Sequence, residues 1–465
     1  MGLGTVVGKA VAFLSGIVLA RLLMPGDFGR NAMALVISNL LGTIGTLGTG
    51  TALIQRQDSS AIYARCAFWL GLGLGIVLML IQMLAAPFVG RFYGEPIVSD
   101  ILLLTSPVHL LVAIGNTPLA LLNKQLKFKL SAVCSVMGPL TGSAASIGLA
   151  LLGWGIWSLA WGPVVTLGVG SLLALTLSDW RPRWGLDREP TINLLRYTGA
   201  LLPGEICVFL NYSMDNLIVG WRLGAKELGY YSLAYTLGMF LALVLGTVML
   251  SVMFPIFSRL QEEREHLRLC YQQVLATVGV LGAPVTVWLI MEAPILVPWV
   301  FGEKWAPAIV PLQIISTLGF VRTCAMQPAA ALAKAIGRPD LSSRNAMVLT
   351  PVALAGFFIG ARFGIVGVSL AALGVLGVGA LVFKMVVIRA AGWRIISILP
   401  SFVWPVGVGC GSWLVLALRH AGWSLDWRVR EIAVDLVLLV LIYSFVLALF
   451  WPRLLTLTRP RAEAS

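Results

Sequence analysis

Apolar residues dominate this chain in stretches of about twenty, separated by short polar breaks, and strict apolar/polar alternation is absent. A run of that length crosses ~30 Å of hydrocarbon as a helix. In lipid a spanning backbone must satisfy its own hydrogen bonds, so continuous runs rather than period-two alternation select helices over a barrel. Turn and charge signals predict about fourteen spans, near 4–24, 30–54, 66–90, 98–123, 130–152, 156–178, 199–223, 230–256, 270–300, 308–333, 345–362, 365–391, 396–418 and 432–452. The expected fold class is all-α, a polytopic membrane protein.

Composition agrees. Of the 465 residues 58% are hydrophobic and 11% charged, and the mean hydropathy is +0.91. The formal charge of +13 suggests nucleic acid at first sight, but the basic residues are scattered through short connections with no basic, aromatic-interleaved surface. They instead set orientation. With the N-terminus in the cytoplasm, inward-facing segments hold 21 Lys/Arg and outward ones nine, while Lys9, Arg21 and Arg322 fall inside spans. That ratio follows the positive-inside rule and puts both termini in the cytoplasm. The six cysteines are far apart and the three histidines isolated, so no metal or disulfide pattern is read.

The chain also repeats itself. "PGDFGRNAMA" from Pro25 and "AKELGYYSLA" from Ala225 share an acid, a bulky apolar residue and a glycine at an offset of 200. "APFVGRFYGE" (86–95) and "APILVPWVFGE" (293–303) match at 207 to 208, "GIWSLA" (155–160) and "GIVGVS" (364–369) at 209, Pro118 and Pro328 at 210. Six spans separate corresponding points. Both copies therefore enter the membrane in the same direction and are related by an axis along its normal, as in transporters built from parallel repeats. The expected organisation is a six-helix lobe over 1–178, a cytoplasmic linker over 179–198, a second lobe over 199–392, and two extra helices with a cytoplasmic tail over 393–465. Two such lobes enclose a cleft and can rock about it.

Five stretches carry a family resemblance: "LARLLMPGDFG" (19–29), "GTGTALIQRQD" (48–58), "SMDNLIVGWRLGAKELGYYSLAY" (213–235), "FPIFSRLQEE" (254–263) and "FGEKWAPAIVPLQII" (301–315). They resemble the polysaccharide-transport branch of the multidrug/oligosaccharidyl-lipid/polysaccharide (MOP) exporter superfamily, and most of all Wzx-type flippases of lipopolysaccharide or exopolysaccharide biosynthesis. The resemblance implies two six-helix lobes in the bacterial inner membrane. Its implied activity is movement of undecaprenyl-pyrophosphate-linked oligosaccharide repeat units from the cytoplasmic to the periplasmic leaflet. The implied protein partners are a polysaccharide polymerase and export machinery.

Charges inside spans cost ~2.5–3.5 kcal/mol on insertion scales, which makes each one a functional candidate. Glu205, Tyr212, Asp215 and Arg222 follow one another at steps of seven, three and seven, along one face of the seventh span, flanked by Asn211 and Asn216. They read either as a polar cleft wall or as a buried network in which Asp215 neutralises Arg222 or a basic residue of the other lobe. Arg21 occupies the matching end of the first span. Arg322 lines a cavity or pairs with Glu205 or Asp215, and Lys9 lines it or snorkels to the headgroups. Fixed cations suit a pyrophosphate, so Lys9, Arg21, Arg222 and Arg322, with Asn39, Tyr212 and Asn216, form the expected substrate-binding set. Thr43, Thr46, Tyr230 and Tyr235 are further hydroxyl partners for sugar. Glu205 and Asp215 are the expected ion-coupling pair, for H+ or Na+, and no cofactor is expected.

Three other readings compete. A drug or cation extruder of the same superfamily would present acids, and here Glu205 and Asp215 roughly balance Lys9, Arg21 and Arg322, with Glu292 nearer an edge and Asp435 outside the repeat. A lipid II flippase shares the fold. A membrane glycosyltransferase or polymerase needs a large external loop or an acidic surface cluster, and this chain shows neither.

Overall fold

The structure is a computed structural model in which residues 2–46, 61–240, 242 and 253–422 are described. The expected span at 432–452, the ends of those at 30–54 and 230–256, the stretch at 48–58, Asp435, the C-terminal tail and the Thr46 side chain lie outside these residues. Every regular element among them is helical. In order they are α1 (Gly2–Leu22), α2 (Pro25–Thr46), α3 (Ala61–Tyr93), α4 (Pro96–Thr105), α5 (Val108–Lys124), α6 (Phe128–Leu151), α7 (Trp157–Leu177), α8 (Arg188–Leu223) and α9 (Ala225–Gly238). A short helical segment at 253–259 follows, then α10 (Arg264–Phe301), a 3-10 turn (Glu303–Ala308), α11 (Ile309–Ala335), α12 (Asp340–Gly360), α13 (Gly364–Ala372), a π-helical turn (Leu373–Gly377), α14 (Val378–Ala390), a second longer 3-10 stretch (Ile395–Phe402) and α15 (Val403–Gly422).

Eight helical stretches among the described residues have the length and composition of membrane spans. One of them, Asp340–Ala390, has 51 residues. At 1.5 Å per residue it would run about 77 Å if straight. It breaks at Ala361–Phe363 and Gly364, giving two crossings. In the stretch Ile62–Tyr93 only 22% of the most apolar window is buried. An apolar helix left that open is covered by acyl chains. This is a multi-pass helical membrane protein.

The chain falls into two compact units, Met1–Ser232 and Leu233–Ser465. In the first, α6 packs on α7 and α1, while α8 lies against α2 and α3. Small residues draw α6 and α7 together. A methyl on Gly142 would fall 1.9 Å from Thr166 Oγ1, and one on Gly162 would fall 2.3 Å from Ser146 Oγ. This is the close approach that small residues spaced four apart permit in lipid. In the second unit α10 packs on α11 and α15, around a core that includes Tyr271, Phe257, Leu332 and Phe383.

The repeat is visible in backbone as well as in letters. Gly94 closes α3 with φ +69, and Gly302 closes α10 with φ +101, both followed by a short helical prelude to the next long helix. Gly155 (φ +54) and Gly364 (φ +72) mark the next matched junction. Left-handed backbone strongly favours glycine, so the matched letters answer a matched geometric need.

Some expected boundaries shift. The polar connection before the seventh span is not all loop, because α8 begins at Arg188 and runs 36 residues. That is about 54 Å of helix, so its charged first turns extend beyond the hydrocarbon. Residues 179–187 are strapped to the start of α3: Arg65 Nη2 meets Asp187 Oδ2 at 2.5 Å, and Trp69 Nε1 donates to the Arg183 carbonyl at 2.8 Å. The fourth span is broken at Ser106 and Pro107 into α4 and α5. Lys384, inside the expected span 365–391, is buried in α14, with its ammonium 4.2 Å from the centroid of Phe402.

Candidate functional site

The repeated acid begins a helix in each copy. Asp27 lies in the first turn of α2 and accepts the Met24 N–H at 3.1 Å, while Glu227 lies in the first turn of α9. An acid there caps loose amides and complements the positive helix end. The two helix starts touch. A methyl on Gly29 would fall 1.6 Å from the carbonyl oxygen of Ala225, and one on Gly229 would fall 1.9 Å from that of Pro25. Each glycine thus presses on the first residue of the other copy's helix, a reciprocal contact.

The first unit holds most of the predicted site residues. Arg21 and Arg222 stand in the last turns of α1 and α8, both exposed. A cation at a helix C-terminus gains ~0.3–1 kcal/mol from the dipole. The Arg222 guanidinium carbon lies 4.3 Å from the Trp221 ring centroid, and Trp221 stacks on Phe92 at the end of α3. Lys9 is half-buried in α1, Asn39 is exposed on α2, and Glu205 and Tyr212 are exposed on α8. Asp215 differs. It is 1% exposed and accepts the Tyr231 hydroxyl at 2.8 Å, while its Oδ1 takes the backbone N–H of Asn216 at 2.8 Å. The four residues read as one polar stripe therefore occupy two environments: three are exposed, and Asp215 turns to α9. Tyr230 is buried beside this pair, and Asn211 is buried with its amide donating to the Cys207 carbonyl. In the second unit Arg322 is buried at the midpoint of α11, and Glu292, expected nearer an edge, is wholly buried in the adjacent α10.

Sequence reasoning missed a polar centre inside the first unit. Pro107 has no N–H and breaks the fourth span, and Ser106 then bonds to the Leu103 carbonyl rather than to that of Leu102. The Leu102 carbonyl is taken instead by the side-chain amide of Gln82, at 2.9 Å. Neighbouring helices commonly re-satisfy groups freed by such breaks. Gln82 is fully buried; its amide nitrogen also donates to Thr105 Oγ1 at 3.1 Å, and its oxygen lies 2.7 Å from His109 Nε2. Because the amide nitrogen is committed to the Leu102 carbonyl, Gln82 offers His109 an acceptor, and Nε2 must carry the proton. Beside this centre lies a cavity of about 530 Å³ walled by α2, α4, α5, α7 and α8, with Ser38, Asn39, Thr43, Thr105 and His109 as its polar lining. The signal in the sequence was a proline in mid-span followed two residues later by the histidine.

Comparison with known proteins points the same way. The sequence pattern of the family described as "Polysaccharide biosynthesis protein" matches residues 18–310. Lipopolysaccharide biosynthesis protein WzxC of Escherichia coli (strain K12) is 27% identical over 394 residues, 83% of this chain and 79% of the relative. Succinoglycan biosynthesis transport protein ExoT of Rhizobium meliloti (strain 1021) is 28% identical over 302 residues, 64% of this chain and 60% of the relative. Among solved structures, the lipid II flippase MurJ in an inward closed conformation superposes with a TM-score of 0.73 at 13% identity, covering 96% of this chain and 98% of MurJ. An inward-facing multidrug resistance transporter of the MATE family, in the MOP superfamily, reaches 0.65 at 16% identity, covering 85% and 99%. At such identities the structures speak for the fold alone, which is like that of MurJ and the MATE transporter, and the family pattern speaks for kinship. With that pattern running over more than half its length, the chain belongs to the polysaccharide biosynthesis protein family.

Proposed function

We propose that this chain is a flippase carrying undecaprenyl-pyrophosphate-linked oligosaccharide repeat units from the cytoplasmic to the periplasmic leaflet of a bacterial inner membrane, by alternating access and without covalent chemistry. The observation that carries the proposal is the reciprocal contact of the Gly29 and Gly229 helix starts. It supports a parallel repeat that pivots about one axis, the geometry that rocking of two lobes, 1–178 and 199–392, requires. Both termini are assigned to the cytoplasm on the charge bias of the connections.

Lys9, Arg21, Arg222 and Arg322 supply cations for the pyrophosphate, and Asn39, Tyr212 and Asn216 supply neutral polar partners. The lipid tail stays in the bilayer. Outward movement of two negative charges gains about 4–5 kcal/mol per 100 mV of inside-negative potential, so the potential alone can drive transport. Glu205 and Asp215 remain the groups through which H+ or Na+ would couple. A polymerase and export machinery would take up the exported repeat unit.

Deletion of the gene in its host tests the reading. Lipid-linked repeat units should accumulate on the inner leaflet and extracellular polymer should be lost. Restoration should be strong with wild type, partial with Arg322→Lys and weak with Arg322→Ala, because a lysine keeps the charge but not the planar fork. Unchanged export after deletion would refute the proposal. Export undiminished by Asp215→Asn would remove proton coupling at that residue.

A further inference from the structure

The cavity of the first unit has an unusual donor set for a protein said to move an anion. Among the described residues none that lines it is Lys, Arg, Asp or Glu; the polar groups are hydroxyls, one amide and one imidazole. Two polar atoms there stand out. Ser38 is nine-tenths buried, yet its Oγ has no hydrogen-bond partner among the described residues. His109 is bonded through Nε2 to Gln82, which leaves Nδ1 as the ring's acceptor, on a residue that lines the cavity. A buried polar group without a partner costs about 1–3 kcal/mol. Ser38 Oγ is such a group, and the same cavity wall carries the imidazole acceptor, which points to a ligand that completes them.

The occupant's chemistry follows from what is present and what is missing. An acceptor and a hydroxyl, set among apolar walls from Leu35, Val108, Val112, Leu167 and Phe209, match a ring with hydroxyl edges and a C–H face. The absence of cationic lining disfavours a pyrophosphate, which would have to shed its hydration there without a counter-charge. The volume, about 530 Å³, falls within the ~300–1,000 Å³ of small-molecule sites.

We propose that this cavity is a saccharide subsite, in which Ser38 Oγ and His109 Nδ1 hydrogen-bond an uncharged sugar lying beyond the first one of the repeat unit, and in which Gln82 is a positioning residue that fixes the His109 tautomer. The proposal rests on the flippase reading and deepens it: the charged linkage and the distal sugars are held apart. The break at Ser106 and Pro107 lies two residues before His109, which stands on the cavity wall.

The test uses the full-length protein in liposomes, with two radiolabelled lipids from the producing organism: the complete lipid-linked repeat unit and its one-sugar precursor. Movement is read as the fraction cut by an added impermeant pyrophosphatase. Wild type should move the complete unit faster than the precursor by roughly tenfold or more, because a site built to bond a hydroxyl rejects a ligand lacking it. Ser38→Ala removes only an atom that has no hydrogen-bond partner among the described residues, so it should fold normally and lower that ratio severalfold. His109→Phe should bring it near one, and Gln82→Leu should lower it while His109→Gln, which keeps an acceptor, restores part. A ratio near one in wild type, or a ratio unmoved by Ser38→Ala and His109→Phe, overturns the subsite. Movement of neither lipid by wild type overturns the flippase reading itself.

Discussion

Gly29 and Gly229, 200 positions apart, face each other's helix starts so closely that neither tolerates a methyl group: the Cβ positions fall 1.6 Å and 1.9 Å from the carbonyl oxygens of Ala225 and Pro25. The obstructing atoms are backbone and cannot swing aside. Gly29→Ala and Gly229→Ala should each destabilise the protein by at least about 1–3 kcal/mol, the usual cost of overpacking. The double variant should cost less than the sum, since the first methyl already parts the helices. Thermal unfolding midpoints of detergent-solubilised protein measure both; additive losses would mean that the two contacts are independent.

Asp215 is the second testable relationship. Its buried carboxyl accepts the Tyr231 hydroxyl on Oδ2 and the Asn216 N–H on Oδ1, and Tyr231→Phe removes the first of these donors. Tyr231→Phe should lower stability by about 1–3 kcal/mol. Asp215→Asn, which still accepts through its amide oxygen, should fall less far than Asp215→Ala. Equal losses for the two Asp215 variants would show that the hydrogen bond is not what holds this site.

The strap over 179–187 should loosen when its ion pair is cut. Arg65 and Asp187 are partly exposed, and such pairs are worth up to ~1 kcal/mol. Asp187→Ala should therefore raise trypsin cleavage at Arg181 and Arg183 by roughly two- to fivefold. No change in the cleavage rate would assign the strap's hold to Trp69 and Trp184, which meet at 4.3 Å between ring centroids.

Acid should act at the start of α6. The hydrogen bond from Lys127, then its charge, holds the Asp179 carboxyl below the usual carboxylate range. A depressed folded pKa stabilises above the unfolded value and is lost as pH falls through the folded one. The link is intact at pH 7 and should disappear below about pH 4. The group is fully exposed, so the effect is small and weakened by salt. Hydrogen exchange near Lys127, corrected for intrinsic rate, should rise only as pH falls below about 4, the ordinary carboxylate range, in wild type but not in Asp179→Asn.

Much of the fold was legible because its causes are local. The thickness of hydrocarbon sets the length of apolar runs, and the demand for left-handed backbone after α3 and α10 sets Gly94 and Gly302, whatever surrounds them. The repeat was legible for the same reason, since two copies facing the same constraints keep the same letters. Residue positions around one helix were legible too, but not the neighbours of each. A helical wheel places Asp215 beside Tyr212 and Arg222; only packing decides that Asp215 turns inward to Tyr231 while Tyr212 and Arg222 stay outside.

The amino-acid order by itself determined a helical, twice-repeated membrane protein with cations at the ends of its matched first helices. Tertiary structure alone decided that Gln82 on α3 meets His109 on α5, and that Ser38 on α2 opens into the same cavity. Those residues belong to three separate helices. Their meeting depends on how helices cross and where Pro107 breaks one of them, and crossing angle and depth come from side-chain packing between segments that no stretch of sequence contains.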